Sequence, residues 1–314
     1  MVIFNNKTIM SRMILIFGIL ILLTFMLSFM FGSSDHELYR MGPDFMYREL
    51  YENMLEDYEG EDISGYNRMD LYYYQYHKAE YKFYLREHTT ERDYYKITLW
   101  GEDAKVYNPA NRIMIWHFFS SVVLLSFAAA IPLAFGRAKE KYKNLIVLGN
   151  KLNEVYFIET IIQYVALLLM SAAFTIIGSF VGFDSHRILI VQYNNGNAIA
   201  ISCYIYFLIK QALAFISACT VLAISSFISS VIRNKLVSTV LSLSLFIVPF
   251  ILCYMLTYES GVAVSNGAVE VYPIINLFWT EWVIGNYNLI LIAFVYVMVS
   301  VLLIWCRYRM QKME

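Results

Sequence analysis

The side chains of this 314-residue chain that could do chemistry lie inside apolar sequence. Lys210 and Gln211 follow Tyr206-Phe207-Leu208-Ile209, and Glu159 stands near the start of another apolar run. An ionisable side chain at the centre of a bilayer costs about 2.5–3.5 kcal/mol on insertion scales, so it should face a partner, water or a polar solute. Lys210 and Gln211 are therefore candidates for a polar substrate path, with Glu159 as a further member. Snorkelling or local pairing near a helix end is the other reading of these charges. The five histidines (His36, His77, His88, His117 and His186) are dispersed, and only His77 and His88 share a segment. Hydrolysis inside a membrane needs a nucleophile with its base, or two metal ligands, brought face to face. The apolar stretches offer His117 alone, which reads as a locally hydrogen-bonded residue. The chain has no Gly-x-x-x-x-Gly-Lys-Ser/Thr, Gly-x-Ser-x-Gly or His-Glu-x-x-His. It is expected to be no enzyme, to bind no cofactor or metal itself, and to hydrolyse no ATP through a P-loop of its own.

Six apolar stretches must position these residues: Met13–Gly32, Ile113–Phe135, Val155–Val181, Ala198–Ile232, Leu236–Leu256 and Tyr287–Cys306. Each has about the 20 residues that a helix needs to cross a hydrocarbon core. Their flanks alternate in charge. Met1–Arg12, Gly136–Glu154, the turn around Arg233 and Lys235, and the tail together carry 12 Lys and Arg against 3 Glu. The intervening short segments, Phe183–Asn197 and Thr257–Asn286, hold Arg187 against Asp184, Glu259, Glu270 and Glu281. The positive-inside rule then predicts six spans with both termini cytoplasmic. The fold expected is an all-α polytopic membrane protein. Its parts are the N-terminal segment and first span (1–32), an extracytoplasmic domain (33–111) and a five-helix transmembrane domain (112–314).

Composition agrees with a bilayer environment: 59% of residues are hydrophobic and 16% charged, against roughly 50% and 25% in soluble proteins. The net charge of −1 conceals an asymmetry, because Ser33–Asn111 alone holds 17 acidic and 9 basic residues. No basic, aromatic-interleaved soluble face suits nucleic acid. All four cysteines (Cys203, Cys219, Cys253 and Cys306) lie in apolar stretches, so the outer segments hold no disulfide framework or zinc spacing. Met13–Gly32 has a basic start, but its apolar run exceeds the roughly 7–15 residues of a signal-peptide core, and it is read as an uncleaved span.

The outer segment holds 14 of the 26 tyrosines. Phe45, Tyr51, Leu55 and Tyr58, with Tyr47, Leu50 and Met54, recur at helical steps behind Gly42-Pro43-Asp44. A second helical pattern runs from Asn67 through Tyr72, Tyr76 and Tyr84 towards His88, after the Gly60–Gly65 break. A small helical hairpin is expected. Its acidic surface and tyrosines could receive a cationic amphipathic solute such as a peptide; equally, the charges could keep it soluble while the rings form a modest core. The run Glu56-Asp57-Tyr58-Glu59-Gly60-Glu61-Asp62 lacks the ligand spacing of a calcium loop.

Between the second and third stretches, basic residues precede an apolar patch and then Gly149. Leu145 and Leu148 share one helical face, extended by Tyr142 and Ile146. A short amphipathic helix of this kind can seat in a groove of a cytosolic partner while its basic flank meets lipid headgroups. An ordinary basic juxtamembrane helix is the alternative.

Six spans, a large outer segment after the first, and this basic helix with its Leu-Gly step resemble the ABC-2-type permeases, the membrane subunits of bacterial ABC exporters. The run Ser225–Lys235 is similar to the small-residue end of the family's fourth span with its basic turn. Tyr272-Pro273-Ile274-Ile275-Asn276 is similar to the Pro-containing outer segment before its last span. The resemblance implies that segment 137–152 is a coupling helix docking on a separate ATPase subunit, through Lys139, Glu140, Lys141, Tyr142, Leu145, Leu148 and Gly149. Tyr142-Lys143 stands where the family usually has Gly-Thr. The resemblance further implies cytosolic ABC ATPase subunits that carry the ATP, and a second permease copy, identical or paralogous. It places the chain as a multi-pass protein of the bacterial cytoplasmic membrane. The Leu-Gly step is also similar to macrolide-exporter-type permeases, which have four spans and a larger ectodomain. A membrane-anchored immunity or sensor protein that binds a peptide without transporting it is the alternative from another class.

Overall fold

The computed structural model describes residues 18–19, 21–23, 26, 44–66, 68–87, 94–96, 109–135, 152–180, 188–193, 197–232, 234, 236–238, 240–242, 244 and 288–313. Among them the order is α1 (Asp44–Gly60), α2 (Arg68–Glu87), β1 (Tyr94–Lys96), α3 (Pro109–Phe135), α4 (Leu152–Phe180), β2 (Ile188–Tyr193), β3 (Asn197–Ser202), α5 (Cys203–Val231) and α6 (Leu289–Met313). The described residues of 18–26 and 236–244 also have helical backbone. The described residues are predominantly helical. Three of its helices contain segments long and apolar enough to cross a membrane: Phe157–Phe180, Tyr204–Val231 and Leu289–Met310. Within α3, Trp116–Pro132 is a shorter apolar segment. The greater part of the first and fifth expected spans, and all of Thr257–Asn286, lie outside the described residues.

Helix α5 is the hub. It packs against α3, α4 and α6, and 61% of its apolar segment is buried, against 17% of that of α6. The shared core draws Trp116, Leu124 and Ala128 from α3, Leu167, Met170 and Phe174 from α4, and Phe207, Val221 and Leu222 from α5. Side-chain bonds fix the directions. Trp116 at the start of α3 bonds the Phe174 carbonyl near the end of α4. Gln163 near the start of α4 meets Ser226 near the end of α5. Arg307 near the end of α6 meets Glu159. So α3, α5 and α6 run one way and α4 runs against them. Phe135, Leu152, Val231 and Met313 consequently lie at one end of the bundle, and Pro109, Phe180, Cys203 and Leu289 at the other.

Polar residues set the helix ends. Ser202 caps α5 by accepting from the Ile205 N–H at 3.2 Å, which satisfies one of the orphan donors of the first turn. Asn288 caps α6, accepting from the N–H groups of Ile290 and Leu291 at 3.0 and 3.2 Å. In the basic turn after α5, the Asn234 side chain accepts from the Leu236 N–H at 2.9 Å and starts the next helical segment.

α1 and α2 pack together where the tyrosine periodicity puts them, joined through a short turn at Ile63–Gly65. The described part of segment 33–111 nevertheless departs from a purely helical domain. Tyr94–Lys96 pairs in parallel with Ile188–Ile190, and Ile188–Tyr193 pairs antiparallel with Asn197–Ser202, giving a sheet of order β1-β2-β3. This three-stranded sheet is a small addition to an otherwise helical structure that is compatible with the all-α class expected. It corrects the fourth stretch, because Ala198–Ser202 is strand and the helix begins at Cys203. The cause is local. Ile188-Leu189-Ile190-Val191 and Ala198-Ile199-Ala200-Ile201 are short apolar runs, β-branched and flanking Asn195-Gly196, the residue pair most favourable to a tight hairpin. α2 packs on β2 and β3, and β3 passes into α5 with Ser202 as both last strand residue and helix cap.

Candidate functional site: buried polar layers among the membrane helices

Lys210 and Gln211 lie in the second and third turns of α5, within the shared core, and are 4% and 3% exposed. Because α5 starts at Cys203, Lys210 is roughly 10 Å along its axis at 1.5 Å per residue, nearer the sheet than a start at Ala198 would put it. Gln211 Nε2 donates to Ser120 Oγ at 3.1 Å, and the Ser120 hydroxyl donates to the His117 carbonyl at 3.0 Å. Ser121 Oγ lies 3.4 Å from His117 Nδ1. Lys210 Nζ lies 5.6 Å from the centroid of the Tyr206 ring, within the range of a cation–π contact. Five polar side chains from α3 and α5 therefore form one buried layer whose charged member is a cation. Such a layer can orient an anionic or carbonyl group of a solute and repel a bare cation.

Beside this layer the helices pack closely. Gly178 of α4 faces Trp116 and Phe207 so closely that a Cβ there would stand 2.5 Å from Trp116 Nε1 and 2.6 Å from Phe207 Cζ. Only glycine admits both rings at that crossing.

Glu159 occupies a different layer. It is 2% exposed and pairs with Arg307, 6% exposed, at 3.9 Å. One turn further along α4, Gln163 Oε1 accepts from Ser226 Oγ at 3.2 Å, while Gln163 Nε2 has no hydrogen-bond partner among the described residues. Ser226 is sixteen residues from Lys210 on the same helix, roughly 24 Å. The structure thus brings Lys210 and Gln211 together and keeps Glu159 apart. Between the layers, Tyr164 donates to the Cys219 carbonyl at 3.3 Å. Thr220 Oγ1 lies 3.3 Å from both the Tyr296 carbonyl and Ser300 Oγ. Among the described residues, no three His, Cys, Asp or Glu side chains stand close enough to hold a metal ion.

Lys139, Glu140, Lys141, Tyr142, Leu145, Leu148 and Gly149 lie outside the described residues. Reading the sequence did not connect His117, Ser120, Ser121, Gln163 or Arg307 to either layer. Their signal is faint, because one hydroxyl or amide in an apolar helix satisfies its own backbone as readily as a neighbour.

In the hairpin, Tyr51 stacks on Tyr81 with centroids 5.6 Å apart, and both are buried. Tyr58 packs on Tyr74, His77 and Tyr81. These rings are core. The acidic run is partly engaged as well: Glu59 meets Lys82 at 3.3 Å and Lys78 at 3.7 Å, Glu61 accepts from the Tyr66 hydroxyl, and Asp62 accepts from the Ser64 N–H at 3.0 Å. The bond from Ser64 holds the Asp62 carboxyl below its ordinary range. The bond to Glu61 pushes the Tyr66 phenol up to about 12. Glu56 and Asp57 remain exposed on the hairpin surface.

Comparison with protein-family models, curated proteins and solved structures gives no match for this chain.

Proposed function

We propose that this chain is the permease subunit of an ABC-2-type exporter, forming a translocation path across the cytoplasmic membrane. Separate ATPase subunits would power it, with a second permease copy completing the path. The observation that carries this reading is the buried Lys210–Gln211 layer between α3 and α5. A chain that only anchors an outer domain gains nothing from a lysine held inside apolar helices, since burying an ammonium there costs free energy even roughly 10 Å from the helix start. The arrangement of the helices supports the same reading. Phe135, Leu152, Val231 and Met313, the residues that border the basic segments, share one end of the bundle. The sheet and the acidic hairpin adjoin the other. A basic end suits an anionic cytoplasmic leaflet and a docking ATPase.

Lys210 and Gln211 line the path in this proposal, and Lys139–Lys151 docks the ATPase. The solute is cationic and amphipathic overall, such as a peptide, gathered by the acidic hairpin and oriented by its carboxylate or carbonyl groups at Lys210. The test is affinity purification of the full chain from its native membrane. A P-loop ATPase without membrane spans should co-purify, and Leu145→Asp with Leu148→Asp should release it while the chain stays inserted. Losing a central apolar anchor commonly costs about 2 kcal/mol or more, roughly thirtyfold in affinity. A chain that brings down no ATPase, or a double variant that retains it, removes the proposal.

A further inference from the structure

Helix α4 begins at Leu152, directly after the basic segment that the permease reading assigns to ATPase docking, and Glu159 lies two turns into it. Arg307 lies two turns before the end of α6. These two helices make few other contacts, because α6 packs chiefly on α5. Yet their charged side chains meet at 3.9 Å in a nearly solvent-free place. Stability does not account for such a pair. Taking both charges out of water costs about as much as their attraction returns, and a well-packed apolar pair in the same volume is often as stable or more so. What an apolar pair cannot supply is an electrostatic attraction, strong in a low-dielectric interior, that makes two otherwise loosely packed helices move together.

We infer that Glu159 and Arg307 are positioning residues that yoke α4 to α6, so that a displacement entering at the start of α4 is passed to the last span. This inference rests on the permease reading. Gln163 and Ser226, one turn deeper, link the same end of α4 to α5, so the push arrives at α5 and α6 through separate polar ties. Apolar contacts would slide under the same push, whereas a buried ion pair resists separation because parting gives up an attraction that water does not screen.

The experiment uses the full chain with its co-purified ATPase in lipid nanodiscs, all four native cysteines replaced. Nitroxide labels go on V231C and W305C, both at exposed positions of α5 and α6. ATP with vanadate should shift the inter-label distance in the parent. In E159L/R307L, and in the second uncharged pair E159Q/R307Q, the shift should be lost while membrane abundance and ATPase co-purification match the parent. The swapped pair E159R/R307E should restore it, which a merely space-filling role would not require. If the shift persists in both uncharged pairs, the yoke is wrong. If the ATPase co-purifies but Trp305 never moves relative to Val231, the yoke is wrong and the permease reading stands. If no ATPase co-purifies, the permease reading falls and this inference falls with it.

Discussion

The indole N–H of Trp116 donates to the Phe174 carbonyl at 3.0 Å, locking the start of α3 to the end of α4 one turn before Gly178. The carbonyl already sits in a helix, so the indole shares it rather than rescuing it. The bond fixes where the ring lies, so a side chain at position 178 would force the ring to shift. Gly178→Ala should cost about 1–3 kcal/mol, the usual range for forcing atoms into a filled core. Trp116→Phe should cost about 1 kcal/mol for the lost hydrogen bond, plus whatever void the smaller ring leaves. Thermal unfolding in detergent checks both. In the double variant Gly178→Ala with Trp116→Phe, the penalties should be less than additive, since the smaller ring relieves part of the clash.

Lys210→Met should leave insertion unchanged or improved, because it removes a buried charge, and should abolish transport. Gln211→Leu with Ser120→Ala should show a coupling of about 0.5–1.5 kcal/mol in a double-mutant cycle, the net worth of one buried hydrogen bond. Stability and transport are to be measured on the same preparations. A Lys210→Met protein that transports normally makes the lysine a structural residue only.

Membrane sidedness follows from the charge bias of 12 basic to 3 acidic residues on alternate flanks. Single cysteines at positions 141 and 233 should resist an impermeant maleimide in intact cells, and those at 73 and 265 should react. All four native cysteines must first be replaced. Labelling at 141 from outside ends the six-span arrangement.

The acidic hairpin is best probed at Glu56 and Asp57. Neutralising Glu59, Glu61 or Asp62 would also break the contacts to Lys82, Tyr66 and Ser64. Glu56→Gln with Asp57→Asn should weaken capture of a cationic amphipathic peptide, mainly by slowing association. Added salt should weaken it too, because exposed charges are screened beyond about 8 Å at physiological ionic strength. Binding that ignores both changes leaves the charges a solubilising role alone.

The turn between α1 and α2 should be sensitive at both extremes of pH. Tyr66 holds its proton more tightly when folded, with a value of about 12 against an ordinary 10.0. Its contribution is therefore complete below pH 10.0 and lost as pH climbs towards about 12. Asp62 is shifted downward from 3.8, so its contribution is present above that value and lost as pH falls through the folded one. The phenolate absorbance of the parent minus that of Tyr66→Phe should show a late-titrating step. Asp62→Ala should remove the acid-side loss.

Much of the helical framework is legible from residue order alone. Long apolar runs leave the backbone no partner but itself, so Phe157–Phe180, Tyr204–Val231 and Leu289–Met310 could be little other than helix. The heptad-like spacing of Tyr51, Leu55 and Tyr58 marks α1 for the same local reason. Strand pairing is different, because it depends on a partner distant in sequence. Ile188–Tyr193 is apolar and borders a long apolar run, so by periodicity it merges with its surroundings. Asn195-Gly196 is a hairpin signal that goes unread beside so long an apolar run, and nothing local marks Tyr94–Lys96 as the third strand. The polar layers were decided by tertiary structure for a related reason. A serine, a glutamine and a histidine in separate helices carry no mutual signature. The antiparallel course of α4 against α6 gave Glu159 the partner Arg307, and its antiparallel course against α5 set it at the opposite end of the bundle from Lys210.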